Sequence, residues 1–277
     1  MPREDIHGRT LTVQGVEIPK LGFGTWEITG AAASEAVRDA LELGYRHIDT
    51  ARAYGNEAAV GSGMADAGVD RGDIFLTTKL WYSRLRPAEV REQLDGSLHD
   101  LGTDYVDLLL IHWPNPDVPL EQTLRAMVQL RDEGKVRHLG VSNFPSALLR
   151  EALELAPIIA DQVEYHPALA QPQLLALARE RDLMLTAYSP FAHGRLLDNP
   201  VLREVGEAHG KSAGQVALRW LLDQPQVAAI PKASSHSNRA ANLEVFDFEL
   251  SDEERGRIAS LARDERTTNP SWAPRWD

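Results

Sequence analysis

Short apolar stretches and longer amphipathic stretches alternate along almost the whole chain, and this alternation limits the possible folds more than any other feature. The strand-like stretches are LGFG (21–24), YRHIDT (45–50), DIFLTTK (73–79), DYVDLLLIH (104–112), VRHLGVSN (136–143), IIADQ (158–162), LMLTAYSP (183–190) and VAAIPK (227–232). Each is followed by a segment with helical spacing of apolar residues, such as AAASEAVRDALELG, which closes on Gly44, and PAEVREQLDGSLHDLG, which opens on Pro87. Strict alternation of strand and helix implies a parallel sheet. VDLLLI reads as a continuous apolar run, as expected of a parallel strand covered on both faces. Eight such units without a glycine-rich dinucleotide fingerprint imply a closed (β/α)₈ TIM barrel, not a doubly wound sheet. The nearest match to the fingerprint, GFG at 22–24, lacks the third glycine and leads to no immediate helix start.

Three segments fall outside the repeat. TLTVQGVEIPK alternates around Gly15 as an N-terminal β-hairpin would, SDEERGRIASLAR (251–263) reads as an extra C-terminal helix, and TTNPSWAPRWD reads as a tail. The longer insertion between the seventh and eighth strands carries no assigned element. No serine/glycine-rich linker or charge block divides the chain, so residues 1–277 read as one barrel domain, a length ordinary for this architecture.

Composition narrows the chemistry. The net charge of −12 argues against nucleic acid or an anionic membrane as partner. There is no cysteine, which excludes disulfides, thiolate metal sites and cysteine nucleophiles. MPREDIHGRT lacks the apolar core of a signal peptide, and no apolar run approaches membrane-spanning length, so a cytoplasmic location is the default. Nothing in the chain demands more than a monomer. His7, His47, His99, His138, His166, His193, His209 and His236 show no metal-ligand spacing, so no metal site is expected. His166, in EYHP, reads as structural.

In a TIM barrel the active site lies at the C-terminal ends of the strands. There the second, third and fourth strands end on Asp49, Lys79 and His112, and Tyr54 lies in the loop after Asp49. Each has a bland reading when taken alone: a barrel-mouth ion pair, a structural histidine, a packed aromatic. Together, on three consecutive strands, they converge on one pocket. An ionised Asp49 would hold Lys79 charged, and the ammonium would lower the phenol pKa of Tyr54 toward working pH. His112 would orient or polarise a carbonyl oxygen beside the tyrosine hydroxyl. This is a proton-delivery site for a developing alkoxide, and it needs a hydride. Ser142, Asn143 and Gln162 could bind a carboxamide, and Tyr188 could stack on a flat ring.

The motifs LGFGTW, GYRHIDTARAYGNEAAVG, TKLW, LGTDYVDLLLIHWP, GKVRHLGVSNF, DQVEYHP, AYSP, IPKASS and VFDFELSDEE occur in one order across nearly the whole length. With them the chain resembles the aldo-keto reductases, most closely compact bacterial members similar to 2,5-diketo-D-gluconate reductases. The resemblance implies an NAD(P)H-dependent reductase of aldehydes or ketones with a catalytic tetrad of Asp49, Tyr54, Lys79 and His112. It implies NADPH as cofactor, with NADH also used, extended across the barrel mouth. The nicotinamide end would meet Gly24, Thr25, Trp26 and Asp49, with Ser142, Asn143 and Gln162 on its carboxamide and Tyr188, Ser189 and Pro190 beneath its ring. The adenosine end would meet Ile230, Lys232, Ala233, Ser235, Arg239 and Asn242. Trp26, Trp81 and Trp113 would wall the substrate pocket with Tyr54 and His112. Trp220 reads as core, while Trp272 and Trp276 are either tail anchors or a pocket lid.

Two features depart from the family. After IPK, members often carry a serine and, six residues past the lysine, an arginine. Here these positions are Ala233 and Asn238, with Arg239 one place later. A glutamate often found before Asn242 is Ala241. The first departure changes the grip on a 2′-phosphate in detail, and the second weakens one expected adenine contact. Two alternatives stand beside the reductase: a cofactor-binding regulatory protein with little turnover, and a metal-dependent barrel hydrolase. The hydrolase would need a His-x-His on an early strand, and HIDT supplies one histidine.

Overall fold

The computed structural model describes residues 9–277; His7 lies outside them. Strands β1 (Thr10–Val13) and β2 (Val16–Pro19) form an antiparallel hairpin, with Leu11 opposite Ile18. Its two-residue turn has both Gln14 (φ 48°) and Gly15 (φ 80°) in the left-handed region. That is the geometry whose twist matches paired strands.

Eight parallel strands follow, in the spatial order of the sequence: β3 (Phe23–Gly24), β4 (His47–Asp49), β5 (Phe75–Leu80), β6 (Val106–Ile111), β7 (Val136–Ser142), β8 (Ile158–Glu164), β9 (Met184–Tyr188) and β10 (Val227–Ala229). The last strand returns to the first. Leu21 bridges Ala229 in parallel, and the Gly22 and Gly24 amides donate to the Ala229 and Pro231 carbonyls at 2.9 and 3.2 Å. A Cβ on Gly24 would stand 2.6 Å from the Ile230 carbonyl oxygen. The glycines of LGFG thus let the seam of the barrel close, a steric requirement unrelated to a phosphate loop.

The connections are α1 (Gly30–Leu43), α2 (Glu57–Asp66), α3 (Pro87–Leu101), α4 (Leu120–Asp132), α5 (Ser146–Leu155), α6 (Pro172–Arg181), α7 (Pro200–His209), α8 (Ala213–Leu222) and α9 (His236–Leu243), with α10 (Asp252–Ala259) after the barrel. The fold is the expected TIM barrel with its hairpin, extra helix and tail. Two details differ from expectation. The insertion before α8 contains a full helix, α7, capped by Asn199, whose side chain accepts from the Val201 and Leu202 amides. α10 is shorter than the expected 251–263, and the chain beyond it crosses back over the barrel, where the Arg263 amide donates to Ala168 at 3.0 Å.

Alternation along each strand decides what faces the barrel axis. Phe75, Leu108, Leu110, Ala160, Met184 and Ala228 fill the interior with Leu11, Val13 and Ile18 of the hairpin. Leu76, Leu80, Leu109 and Ile111 pack outward, in one core with Val37, Leu94 and Leu124 of the helices. The same parity aims Asp49 (after His47), Lys79 (after Phe75 and Thr77) and His112 (after Leu108 and Leu110) inward. The apolar plug below leaves these last positions as the polar top of the barrel.

Asp161 is the neighbour of Gln162 on the opposite side of β8, and it is an anomaly. It is fully buried, and neither carboxyl oxygen has a hydrogen-bond partner among the described residues. Burial pushes its carboxyl well above the ordinary value. The Phe144 backbone amide, short of hydrogen-bonding geometry, offsets only part of this, and Asp277 adds to it. A carboxyl raised in the folded state holds its proton there while the unfolded chain releases it. Stability is then greatest below the unfolded value and is lost as pH rises toward the folded one, at about 1.4 kcal/mol per pH unit. Asp161→Asn should therefore raise the melting temperature at pH 7. The gain should shrink toward zero near pH 4 in scanning calorimetry.

Candidate active site

At the mouth of the barrel the Lys79 Nζ donates to Asp49 Oδ1 at 2.5 Å, to the Thr50 carbonyl at 2.9 Å and to the Tyr54 hydroxyl at 3.3 Å. Gln162 Nε2 donates to the second Asp49 oxygen at 2.7 Å, which ties β8 to β4 across the barrel. Tyr54 arrives from a 3₁₀ turn, Arg52–Tyr54, just past β4. Its ring lies edge-on to His112 at 5.7 Å between centroids, and Trp81 contacts the same imidazole at 5.4 Å. Asp49, Tyr54, Lys79 and His112 thus form one cluster.

The electrostatics follow from enclosure. Burial is the largest single influence and opposes the charge on Lys79, but Asp49 and Tyr54 together outweigh it and hold the ammonium above its ordinary pKa. Burial, with the Lys79 charge in second place, drives His112 well below the usual imidazole value, so the ring is neutral at neutral pH. Its Nδ1 has no hydrogen-bond partner among the described residues. Tyr54 departs from expectation: its phenol is raised, not lowered. Desolvation of the phenolate is the larger effect and Lys79 the smaller, opposing one. The hydroxyl therefore keeps its proton.

Asp49, Tyr54 and His112 open onto a cavity of about 590 Å³, within the range of small-molecule sites, with Lys79 enclosed behind them. Trp26, Trp81 and Trp113 line it, as do Gly24, Ser189, Pro190, Ile230 and Lys232. Ser142, Asn143, Gln162 and Tyr188 form a linked edge along it. Ser142 Oγ donates to the Gln162 carbonyl at 2.7 Å, Tyr188 Oη donates to Asn143 Oδ1 at 2.8 Å, and Asn143 Nδ2 donates to the His112 carbonyl at 2.9 Å. Four non-glycine residues of the lining, Glu27, Asn143, Ser189 and His193, have positive φ. Such strain persists where surrounding structure imposes it, often at functional sites.

Five of the expected cofactor residues do not line the cavity. Thr25 is buried and donates its hydroxyl to the Asp49 carbonyl at 3.0 Å. Ala233 and Asn242 are buried, and Ser235 caps α9 through the Asn238 amide. Arg239 is also buried, paired through Nε with Asp39 Oδ2 at 2.6 Å. Conversely, the cavity includes Glu27, Ala53, Phe191, His193, Gly194 and Thr268, none of which the strand-end reading identified. Most come from loops whose path the strand pattern does not specify.

Thr268 is held by an acid. The buried Glu164 accepts from the Thr267 and Thr268 amides at 2.7 and 2.9 Å and pairs with His166 at 3.0 Å. Burial opposes its ionisation, but these hydrogen bonds hold its carboxyl below the ordinary value. His166 is therefore a strut for the tail. Trp276 packs edge-on to Trp113 at 6.1 Å, whereas Trp272 stacks on Tyr82 and walls a separate depression beside Phe144 and Leu148. Trp220 packs on the core against Tyr165. Among the described residues, no group of three His, Cys, Asp or Glu side chains is placed to hold a metal, and no helix is long and apolar enough to cross a membrane.

Residues 20–263 match the Aldo/keto reductase family. The chain is 42% identical over 255 residues to glyoxal reductase of Bacillus subtilis (strain 168), covering 91% of this chain and 92% of that protein. It is 36% identical over 266 residues to methylglyoxal reductase DkgB of Escherichia coli O157:H7, covering 94% and 99%. Among solved structures, a 2,5-diketo-D-gluconic acid reductase B superposes with a TM-score of 0.95 at 44% identity, over 97% of each chain.

The tetrad also carries a stability consequence. Lys79→Met leaves the Asp49 charge buried without its cation, a change that typically costs about 3–5 kcal/mol. Adding Asp49→Asn removes the stranded charge, so the double variant should recover much of that loss in urea unfolding. Additive losses would show that the two side chains are not coupled.

Proposed function

The chain belongs to the aldo/keto reductase family of oxidoreductases, and from that premise we propose that it reduces small aldehydes and ketones to alcohols with NADPH, Tyr54 delivering the proton. The observation that carries this reading is a phenol that keeps its proton, flanked by a fixed ammonium and a neutral imidazole, on the wall of a ligand-sized cavity.

The residues present fit a nicotinamide. Tyr188 offers an aromatic face beside the amide and hydroxyl groups of Ser142, Asn143 and Gln162, and Lys232 stands exposed at the rim. When bound, the cofactor supplies the hydride. The protein's own side chains manage the charge that develops on the carbonyl oxygen. Tyr54 donates its proton there, and Lys79 stabilises the phenolate that remains. Asp49 keeps Lys79 charged and in place. His112, being neutral, can hydrogen-bond the substrate oxygen without adding a positive charge. Trp26, Trp81 and Trp113 give the carbonyl's substituents an apolar surface. The glyoxal and methylglyoxal reductases among the relatives support small, reactive dicarbonyls as substrates.

Consumption of NADPH in the presence of methylglyoxal and of an aromatic aldehyde tests the reading, and an absence of turnover with cofactor binding intact would favour the regulatory alternative. Tyr54→Phe should lower kcat by about 10²–10⁴-fold with little change in cofactor affinity. Retention of most of the activity would remove Tyr54 as the donor. Because reduction needs the protonated phenol and burial raises its pKa, the rate should hold through neutral pH and fall on the alkaline side. Lys79→Met, besides slowing the reaction, should move that alkaline limb upward, since the Lys79 charge is what lowers the phenol value.

A further inference from the structure

The cations near the end of β10 are already engaged by the chain's own carboxylates. Arg239 is committed: it is buried, paired with Asp39, and donates through Nη1 to the Ala233 and Ser234 carbonyls at 3.0 and 3.1 Å. It serves as a clamp on the loop that carries Lys232. Lys232 is different. Its Nζ lies 3.1 Å from Glu27 Oε2, and their side chains are 39% and 55% exposed. Glu27 belongs to the loop after β3 and Lys232 to the loop after β10, so the pair spans the barrel seam where both line the cavity. Glu27 leaves the chain at φ 60°, inside a turn closed by the Ile28 amide on the Thr25 carbonyl at 3.1 Å.

We propose that Glu27 is a cofactor-specificity residue, an internal competitor that occupies Lys232 in place of the 2′-phosphate and so handicaps NADPH relative to NADH. This rests on the reading above, in which the dinucleotide crosses the mouth with its 2′ position at Lys232. To reach Lys232, a 2′-phosphate must displace the Glu27 carboxylate and then remain beside it, on a chain already at net charge −12. An exposed ion pair is weak enough to be displaced, yet its loss and the residual like-charge repulsion both count against the phosphate. NADH has a hydroxyl at that position. It neither needs Lys232 nor is repelled by Glu27.

Titration of the protein's tryptophan fluorescence with NADPH and with NADH measures both dissociation constants directly, for the wild type, Glu27→Gln, Lys232→Met and the double variant. At low ionic strength, Glu27→Gln should tighten NADPH by about threefold to tenfold and change NADH by less than about twofold. The NADPH gain should fade with added salt and should largely disappear in the Lys232→Met background. Unchanged melting temperatures would show that the fold is intact. An equal gain for both cofactors, no gain for NADPH, or the same gain with Lys232 absent would overturn the role of Glu27 while leaving the reductase reading in place. A wild-type chain that binds neither dinucleotide would overturn the cofactor reading, and the competition with it.

Discussion

The ion pair between Asp49 and Lys79 is the constraint around which the upper half of the barrel is arranged. Both side chains are almost fully enclosed, and removing two charges from water costs several kcal/mol per ion unless the remaining polar valences are filled. They are filled from three directions, by Gln162 of β8, by the Thr50 carbonyl and by the Tyr54 hydroxyl. That set exists only if β4, β5 and β8 hold their register around a closed barrel. A slip of one residue in β5 would turn Lys79 outward, into the apolar layer occupied by Leu76 and Leu80. The hairpin's Leu11, Val13 and Ile18 contribute from the opposite end by sealing the interior beneath the pair.

Much of this was legible in the sequence, because barrel strands obey a simple parity. Asp49, Lys79 and His112 stand two residues beyond His47, Thr77 and Leu110, so knowing the strand locations gives the direction of each side chain. The glycines of LGFG were visible, but their reason was not, since the contact between Gly24 and the Ile230 carbonyl joins opposite ends of the chain. Helix α7 left a readable signature, Asn-Pro at its start and Gly210 at its stop, inside a stretch otherwise read as an insertion. The lining contributed by Glu27, His193 and Thr268 could not be read the same way. These residues lie on loops or on the tail, whose paths depend on contacts such as the Glu164 carboxylate on the Thr267 and Thr268 amides.

Charge was the hardest property to read from residue types. Lys79 beside Tyr54 suggested a lowered phenol pKa, and the structure gives a raised one because desolvation acts on the phenolate more strongly than one ammonium that is itself paired with Asp49. Arg239 suggested a free cation near a phosphate, yet it is spent on Asp39 and on two carbonyls of its own loop. Both outcomes have one cause. In an acidic chain a buried cation is usually partnered, and the partner, often distant in sequence, determines how much of its charge reaches anything else.

That cause also bears on how the site would divide its work in the proposed reduction. A proton donor must hold its proton until negative charge develops on the acceptor, and then release it without leaving an unsupported anion. Burial accomplishes the first by penalising the phenolate. In the proposed reduction Lys79 would accomplish the second, since Asp49 neutralises the pair as a whole while Nζ still directs one N–H toward the Tyr54 hydroxyl at 3.3 Å. A lone lysine at that depth would be driven toward neutrality by the same desolvation that raises the tyrosine. The carboxylate is therefore what allows a low-dielectric pocket to retain a cation, and in the proposed reduction that cation would make a high-pKa phenol usable as an acid.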